Sequence, residues 1–200
     1  MLRLVSLFGG LVLFGTSMAL MVRSDLGLNP WDVLHQGIAE RTGVRFGWVV
    51  IGVGALVLAL WVPLRERPGF GTVANAIVVG LAADAVLAVL ESPDALPART
   101  GLLVAGIVLN AVATSLYIGA GLGPGPRDGL MTGLAKRGLR VGRVRTAIEI
   151  IVLAVGWVLG GTVGVGTVAY ALAIGPLVQR LLPVLSVHRP RPTDVATARS

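Results

Sequence analysis

Two aspartates at matching positions are the first residues in this sequence that could do chemistry. Asp32 and Asp128 each lie two places after a proline, in the segments GLNPWDVLHQG and GLGPGPRDGLMTG. A carboxylate at this place either caps the first turn of a short helix or binds a cation or proton at the helix tip. Both hypotheses stay open, because one carboxylate can do both.

Two further carboxylates lie inside apolar stretches. Asp84 lies fourteen residues into the run Phe70–Leu90, which is roughly 20 Å along a helix at about 1.5 Å per residue. An unpaired charge is costly there, so Asp84 either belongs to a proton or ion pathway or is a neutral, hydrogen-bonded side chain. Glu149 either forms an i, i+4 ion pair with Arg145 or belongs to the same pathway.

Uncharged polar residues complete the set of candidates. Asn75 and Tyr170 follow two GTVA motifs at corresponding positions, and Gln179 corresponds to Asp84. They either line the same cavity as the carboxylates or lie where small residues permit close helix packing. Asn110 is expected to donate an interhelical hydrogen bond. The candidate solute or ion pathway therefore consists of Asp32, Asp84, Asp128, Glu149, Asn75, Tyr170 and Gln179.

Other kinds of chemistry lack the residues they need. The chain has no cysteine, and its one histidine before residue 188 is His35, beside a single aspartate, which is poor support for a metal site. The glycine-rich stretch 119–129 has no GxxxxGK[ST] motif, which argues against a nucleotide-driven pump. We find no nucleophile and base that would make an active site, so we predict neither an enzyme nor a cofactor.

The composition indicates a membrane protein. Of the 200 residues, 54% are hydrophobic and 14% are charged, and a soluble domain of this size cannot bury so much apolar surface. The net charge of +7 comes from basic residues between the apolar runs, where they act as topology signals. The partner is therefore the lipid bilayer rather than nucleic acid.

An internal repeat organises the chain. Shifting the sequence by 96 places aligns Leu26–Arg41 with Leu122–Arg137 without a gap, with eight of sixteen positions identical. We call these two stretches the signature segments. GTVANAIVVG at 71–80 likewise matches GTVAYALAIG at 166–175, at an offset of 95. A duplicated unit determines the architecture of the fold.

Six apolar runs surround the signature segments and predict six transmembrane helices. In the first signature segment, Asn29 at the N-cap, Pro30 at N1 and Asp32 at N3 predict a short polar helix, interfacial or re-entrant. The fold class is an all-α integral membrane protein with two three-helix repeats, residues 1–95 and 96–186, and a disordered tail, residues 187–200. The predicted spans are Leu2–Val22, Gly47–Val62, Phe70–Leu90, Gly101–Gly121, Val144–Leu159 and Gly166–Leu185.

Basic residues predict the orientation. Thirteen of the 17 lie on one side if the N-terminus, the loop at Arg65, the segment Arg127–Arg145 and the tail share it, and four lie on the other. This bias predicts that both termini are cytoplasmic. Three spans per repeat is an odd number, so the second repeat should enter the membrane from the opposite side. Inverted repeats of this kind are typical of secondary transporters.

Five motifs carry a family resemblance. GLNPWDVLHQG, ERPGFGTVANAIVVGLAAD, GLGPGPRDGLMTGLAKR, RVRTAIE and GVGTVAYALAIGPLVQ together resemble the YczE-like family of bacterial multi-pass membrane proteins, which is related to the YitT group. The resemblance covers residues 1–186. It implies a location in the bacterial plasma (inner) membrane, and it supplies neither a substrate nor catalytic residues.

Two functions are compatible with these features. The first is a transporter that moves a small solute or ion by alternating access, with its site between the repeats. The alternative is a non-transporting membrane partner or regulator of other proteins. A homo-oligomer is compatible with both.

Overall fold

The computed structural model describes residues 1–137 and 140–187, and the regular structure of this part is entirely α-helical. Helices α1 to α4 hold the first copy of the repeat and α5 to α8 the second. The predicted tail lies, apart from residue 187, outside the described residues. The helices are α1 (Leu2–Ser24), α2 (Pro30–Thr42), α3 (Phe46–Leu64), α4 (Phe70–Leu87), α5 (Leu96–Gly119), α6 (Pro126–Ala135), α7 (Val141–Val158) and α8 (Val165–Leu185).

Five of these helices, α1, α3, α4, α5 and α8, are long and apolar enough to cross a membrane. Helix α7, which contains all but the last residue of the predicted fifth span, is as long as α4 but is not among the five. Its first half carries Arg143, Arg145 and Glu149. Large apolar side chains such as Leu56 and Leu172 are exposed on the outside of the bundle. A surface of this kind suits lipid rather than water, so the chain is a membrane protein.

Helices α1 and α5 form the central pair and run antiparallel. At one end, Arg3 Nε donates to the carbonyl oxygen of Ala120 at 2.8 Å, and at the other, Arg99 Nε donates to that of Ser24 at 2.8 Å. The start of each helix therefore lies beside the end of the other. A Cβ on Gly10 would lie 2.8 Å from a backbone nitrogen of α5, so the glycine permits the close approach of the two backbones.

The repeated motifs bind each other across the two repeats. Helix α4 begins at the first GTVA motif, where the Gly71 N–H donates to the carbonyl oxygen of Leu122 at 2.9 Å. Helix α8 begins at the second, where the Gly166 N–H donates to that of Leu26 at 2.7 Å. The glycine after each leucine has a positive φ, 126° and 114° respectively, which glycine adopts at least cost. Each repeat thereby holds the loop that leads into the other's short helix.

The two short helices begin as the sequence predicts. The Asn29 side chain accepts the Asp32 N–H at 3.1 Å, and Pro30 is the first residue of α2. The helix ends at Thr42 and is capped by Gly43, whose φ is 71°. Helix α6 likewise begins at Pro126. The predicted capping arrangement of the first signature segment is therefore confirmed.

Each short helix packs on a long helix of the opposite repeat. A Cβ on Gly129 of α6 would collide with the ring of Trp61 on α3, and the Trp61 indole N–H donates to the carbonyl oxygen of Pro126 at 3.1 Å. Gly156 of α7 corresponds to Trp61, and a Cβ there would collide with the backbone of α2 at Leu34. This exchanged packing brings the starts of α2 and α6 together.

Candidate functional site

A cavity of about 700 Å³ lies between the two repeats. The starts of both short helices border it, through the N-cap Asn29 and Trp31 of α2 and through Arg127 and Asp128 of α6. Because a helix begins with unpaired N–H groups, both starts bring positive partial charge to the cavity. Polar side chains of other positions also line it, namely His35, Asn75, Thr114, Tyr117, Arg145, Glu149, Tyr170 and Gln179.

Asp32 lies at the junction of the two short helices and is fully buried. Its carboxylate accepts a hydrogen bond from the Asn29 side-chain amide and lies 3.3 Å from Nδ1 of His35. From α6, a guanidinium nitrogen of Arg127 approaches it to 3.7 Å. That guanidinium also lies 4.9 Å from the ring centroid of Trp31, a cation–π geometry. Asp32 therefore ties one signature segment to the other.

His35 is buried against this cluster. Burial lowers the pKa of His35 from its ordinary value of 6.5, and the hydrogen bond to Asp32 opposes that shift. The nearby Arg127 charge also lowers the pKa. At neutral pH the imidazole is therefore neutral, so it adds no positive charge to the cavity.

Asp128 corresponds to Asp32 but has a different environment. It is half-buried at the cavity wall and accepts a hydrogen bond from the Tyr117 hydroxyl at 2.9 Å. Among residues 1–137 and 140–187, no basic side chain forms an ion pair with it. In the same part of the chain, no group of three or more His, Cys, Asp or Glu residues is placed to hold a metal ion.

Tyr170 belongs to a hydrogen-bond chain that reaches the central helix pair. Its hydroxyl donates to Oδ1 of Asn110 at 3.0 Å, and Nδ2 of Asn110 donates to the Ser17 hydroxyl at 2.8 Å. Asn110 and Ser17 are fully buried. The expected role of Asn110 as an interhelical donor is confirmed. The chain fixes the Tyr170 ring at the cavity wall.

Glu149 and Arg145 form the i, i+4 ion pair that the sequence allows. Arg145 Nε donates to the Glu149 carboxylate at 3.0 Å, and both residues line the cavity. The charged half of α7 is therefore turned toward the cavity, although part of each side chain is exposed. Their position at the cavity explains how an otherwise apolar helix carries these charges.

Asp84 lies outside the cavity. Its carboxylate accepts the Gly47 N–H at the start of α3 at 2.6 Å and lies 3.7 Å from Nε of Arg45. Of the seven candidate residues, five line the cavity, and Asp32 bonds to its wall. The structure thus brings six candidates together and places the seventh at the seam between α3 and α4. The pathway role of Asp84 remains a prediction that this position does not support.

Several residues of the cavity wall, among them Trp31, Tyr117, Arg127 and Arg145, were not predicted from the sequence as site residues. From the sequence, Arg127 is interpreted as a topology signal, although its position beside Asp128 at a helix start also indicates a site residue. The chain has only two tyrosines, and both occur within apolar runs. A polar ring in such a run needs a partner, and this signal could have identified Tyr117 together with Tyr170.

Fold and site together define a class, the α-helical multi-pass membrane protein with a polar cavity between repeated halves. A family of unknown function (DUF6198) matches residues 1–183, and the chain belongs to that family. The "Uncharacterized membrane protein YczE" of Bacillus subtilis is 33% identical over 188 residues, which are 91% of this chain and 86% of that protein. The YczE-like resemblance is thereby confirmed.

Two further relatives match over a similar length. An "Uncharacterized protein" of Haemophilus influenzae is 41% identical over 177 residues, 88% of this chain and 81% of that protein. The "Uncharacterized protein YyaS" of Bacillus subtilis is 25% identical over 186 residues, 90% of this chain and 92% of that protein. No solved structure matches the chain.

Proposed function

We propose that this protein is a secondary transporter that moves a small cationic solute by alternating access and binds it in the cavity between the repeats. The observation that carries the proposal is the meeting of two matched helix starts, at Pro30 and Pro126, at one polar cavity. Short helices that begin at a central site, one from each repeat, are a recurrent way to build transporter binding sites.

The membrane arrangement we propose has six spans, namely the five apolar helices and α7. In this arrangement α2 and α6 are re-entrant. The antiparallel course of α1 and α5, which are equivalent helices, supports two inverted repeats. The turn of Arg145 and Glu149 toward the cavity supports α7 as a span, because it removes those charges from lipid. The bias of basic residues supports cytoplasmic termini, and the bacterial relatives support the inner membrane.

The side-chain charges at the cavity favour a cation, because one full negative charge remains against the partial positive charges of the two helix starts, of which that of α2 is already capped by Asn29. Arg127 is paired with Asp32, and Arg145 with Glu149, so these four charges compensate each other. The carboxylate of Asp128 remains, with one hydroxyl as its hydrogen-bond donor among the described residues. A carboxylate in a low-dielectric cavity attracts a cation strongly, and the aromatic rings of the wall add favourable cation–π contacts.

Flux into proteoliposomes tests the proposal. The purified protein should transport at least one member of a panel of inorganic monovalent ions and small organic amines, compared with neutral and anionic solutes. In the Asp128→Asn variant, we expect the apparent affinity for that cation to fall by roughly ten- to a hundredfold. The reason is that a hydrogen-bonded charge contributes about 1.5–3 kcal/mol. Asp25→Asn is the matched control, because that carboxylate is exposed and pairs with Arg99 outside the cavity.

Two results would contradict the proposal. Absence of flux for every solute and gradient, with a stoichiometric protein partner in the purified sample, would favour the non-transporting alternative. Flux of an anion that is unchanged in Asp128→Asn would refute the cationic solute while leaving the transporter.

A further inference from the structure

The seam between α3 and α4 closes one end of the cavity. Gly47 of α3 and Gly80 of α4 are in backbone contact, so a Cβ on either would collide with the carbonyl oxygen of the other. The Asp84 carboxylate caps the Gly47 N–H and faces Arg45. The cavity wall ends three residues after Gly47 on α3 and one residue before Gly80 on α4, and these four residues therefore form a closed seal.

The second repeat contains the same four positions, each 95 places further along the chain. They are Arg140, Gly142, Gly175 and Gln179, so three residue types are retained and the aspartate becomes a glutamine. In the fold they are not assembled. Among the described residues, no neighbouring atom lies within 4 Å of the place that a Cβ would take on Gly142 or Gly175. Gly175 and Gln179 instead line the cavity.

The two seams thus differ in how they are packed, although three of their four residue types are the same. Where α3 and α4 pack closely, α7 and α8 stand apart, and the cavity continues along α8 to Leu182 and Ser186. Both repeats are made of the same helices in the same order, so packing that one seam adopts is available to the other. Equivalent halves that exchange their packing are the basis of alternating access.

We propose that the α7–α8 seam is the gate of the cavity and that it closes as the α3–α4 seam opens. This inference rests on the proposed transport function and adds which helices move, namely the pairs α3–α4 and α7–α8. In the other state, Gly142 and Gly175 come into backbone contact, and the side-chain oxygen of Gln179 accepts the Gly142 N–H. Arg140 then takes the place that Arg45 has beside the closed seam.

The seals differ in one residue, Asp84 against Gln179, and this residue determines which of the two states is more populated. Asp84 makes a charge-assisted hydrogen bond, which is stronger than the neutral one that Gln179 can make. The state with α3 and α4 closed is therefore favoured, and it is the state that the structure shows. Asp84→Asn should weaken this seal, and Gln179→Asp should strengthen the other. Both changes should shift the population in the same direction.

Distances between spin labels test the exchange, and the absence of native cysteines makes each label unique. One label pair on Trp48 and Ala85 spans the α3–α4 seam, and its counterpart on Arg143 and Arg180 spans the α7–α8 seam. All four residues are exposed. With no other substitution, the labels on Trp48 and Ala85 should be close together, and those on Arg143 and Arg180 should be far apart. In Gln179→Asp, the second distance should shorten toward the first pair's original value while the first lengthens.

The outcomes separate the gate from the transport function. If the second distance stays long in Gln179→Asp and in Asp84→Asn, in both detergent and liposomes, the gate proposal is overturned. If either variant folds and shows a shorter α7–α8 distance together with a longer α3–α4 distance, the proposal holds. Flux with an unchanged α7–α8 distance would support the proposed transport function but refute the proposed gate. Exchange of the seams without flux of any solute would leave the gate and contradict transport.

Discussion

The ion pair between Arg127 and Asp32 joins the two short helices, so its removal tests how the repeats are held together. The nearest charged atoms lie 3.7 Å apart, and the exposed fraction is 0% for the Asp32 side chain and 25% for that of Arg127. Two unit charges at this distance attract by about 4 kcal/mol at an effective dielectric constant of about 20. The partial exposure of Arg127 lowers this to about 2 kcal/mol.

A double-mutant cycle measures that energy through thermal unfolding in detergent. Arg127→Met keeps an unbranched side chain but leaves the buried Asp32 carboxylate without its cation, which should cost about 3 kcal/mol. The midpoint should fall by about 6–12 °C, since about 2–4 °C corresponds to 1 kcal/mol for a chain of this size. Adding Asp32→Asn removes the stranded charge, so the double variant should be about 2 kcal/mol more stable than the two single changes predict.

The pair of Arg99 and Asp25 is the matched control. Its atoms are closer, at 2.8 Å, but the Asp25 side chain is 60% exposed. Arg99→Met combined with Asp25→Asn should therefore show a coupling below about 1 kcal/mol. Single changes at Arg127 and Asp32 that add to within about 0.5 kcal/mol, or a control that couples more strongly, would refute the reasoning.

His35 and two threonines give further predictions about stability. Because the pKa of His35 is lower when folded than the ordinary 6.5, the unfolded chain binds more protons, and stability should fall as pH drops through and below 6.5. His35→Gln should reduce this slope in thermal unfolding between pH 5 and 7, and an unchanged slope would contradict the assignment. Thr72 is buried and makes two hydrogen bonds to backbone groups, at 2.7 and 3.2 Å, whereas Thr167 makes one, at 3.3 Å. Thr72→Val should therefore cost roughly 2–4 kcal/mol and Thr167→Val roughly 1–2, and equal losses would show that the loop before α6 does not need the second bond.

Local signals made the short helices predictable. The asparagine before Pro30 can cap a helix, and proline fits its first turn, so the start of α2 could be placed to the residue. The repeat then carried the same prediction to Pro126. Long apolar runs likewise indicated the five helices that are able to cross a membrane. The α5 helix begins at Leu96 rather than Gly101, because Pro97 suits a first turn and the polar residues after it did not end the helix.

Contacts between distant segments could not be predicted in this way. The depth of Asp84 in an apolar run was correct as a local description, but it does not say which neighbour the carboxylate meets. The fold supplies the N–H of Gly47 and the Arg45 charge, and both lie 37 or more positions away. The same applies to Arg127, because a basic residue between apolar runs usually marks topology. Only the reciprocal packing of the repeats turns it toward Asp32.

The two signature segments differ in the residues around their aspartates, which indicates that Asp32 and Asp128 have different roles. The first copy surrounds Asp32 with Asn29, His35 and, from across the interface, Arg127, so the carboxylate has partners for its charge and no open side. The second copy has Gly125 where the first has Asn29, and Asp128 faces the cavity with the Tyr117 hydroxyl. A duplicated carboxylate that performed the same task twice would have kept the same neighbours. These surroundings indicate that Asp32 holds the repeats together, and under the proposed transport function Asp128 is the carboxylate that binds the solute. The gate proposed between α7 and α8 belongs to the same repeat as Asp128, so the carboxylate that would bind the solute and the seam that would close lie in one repeat, while the α3–α4 seam of the other repeat would open.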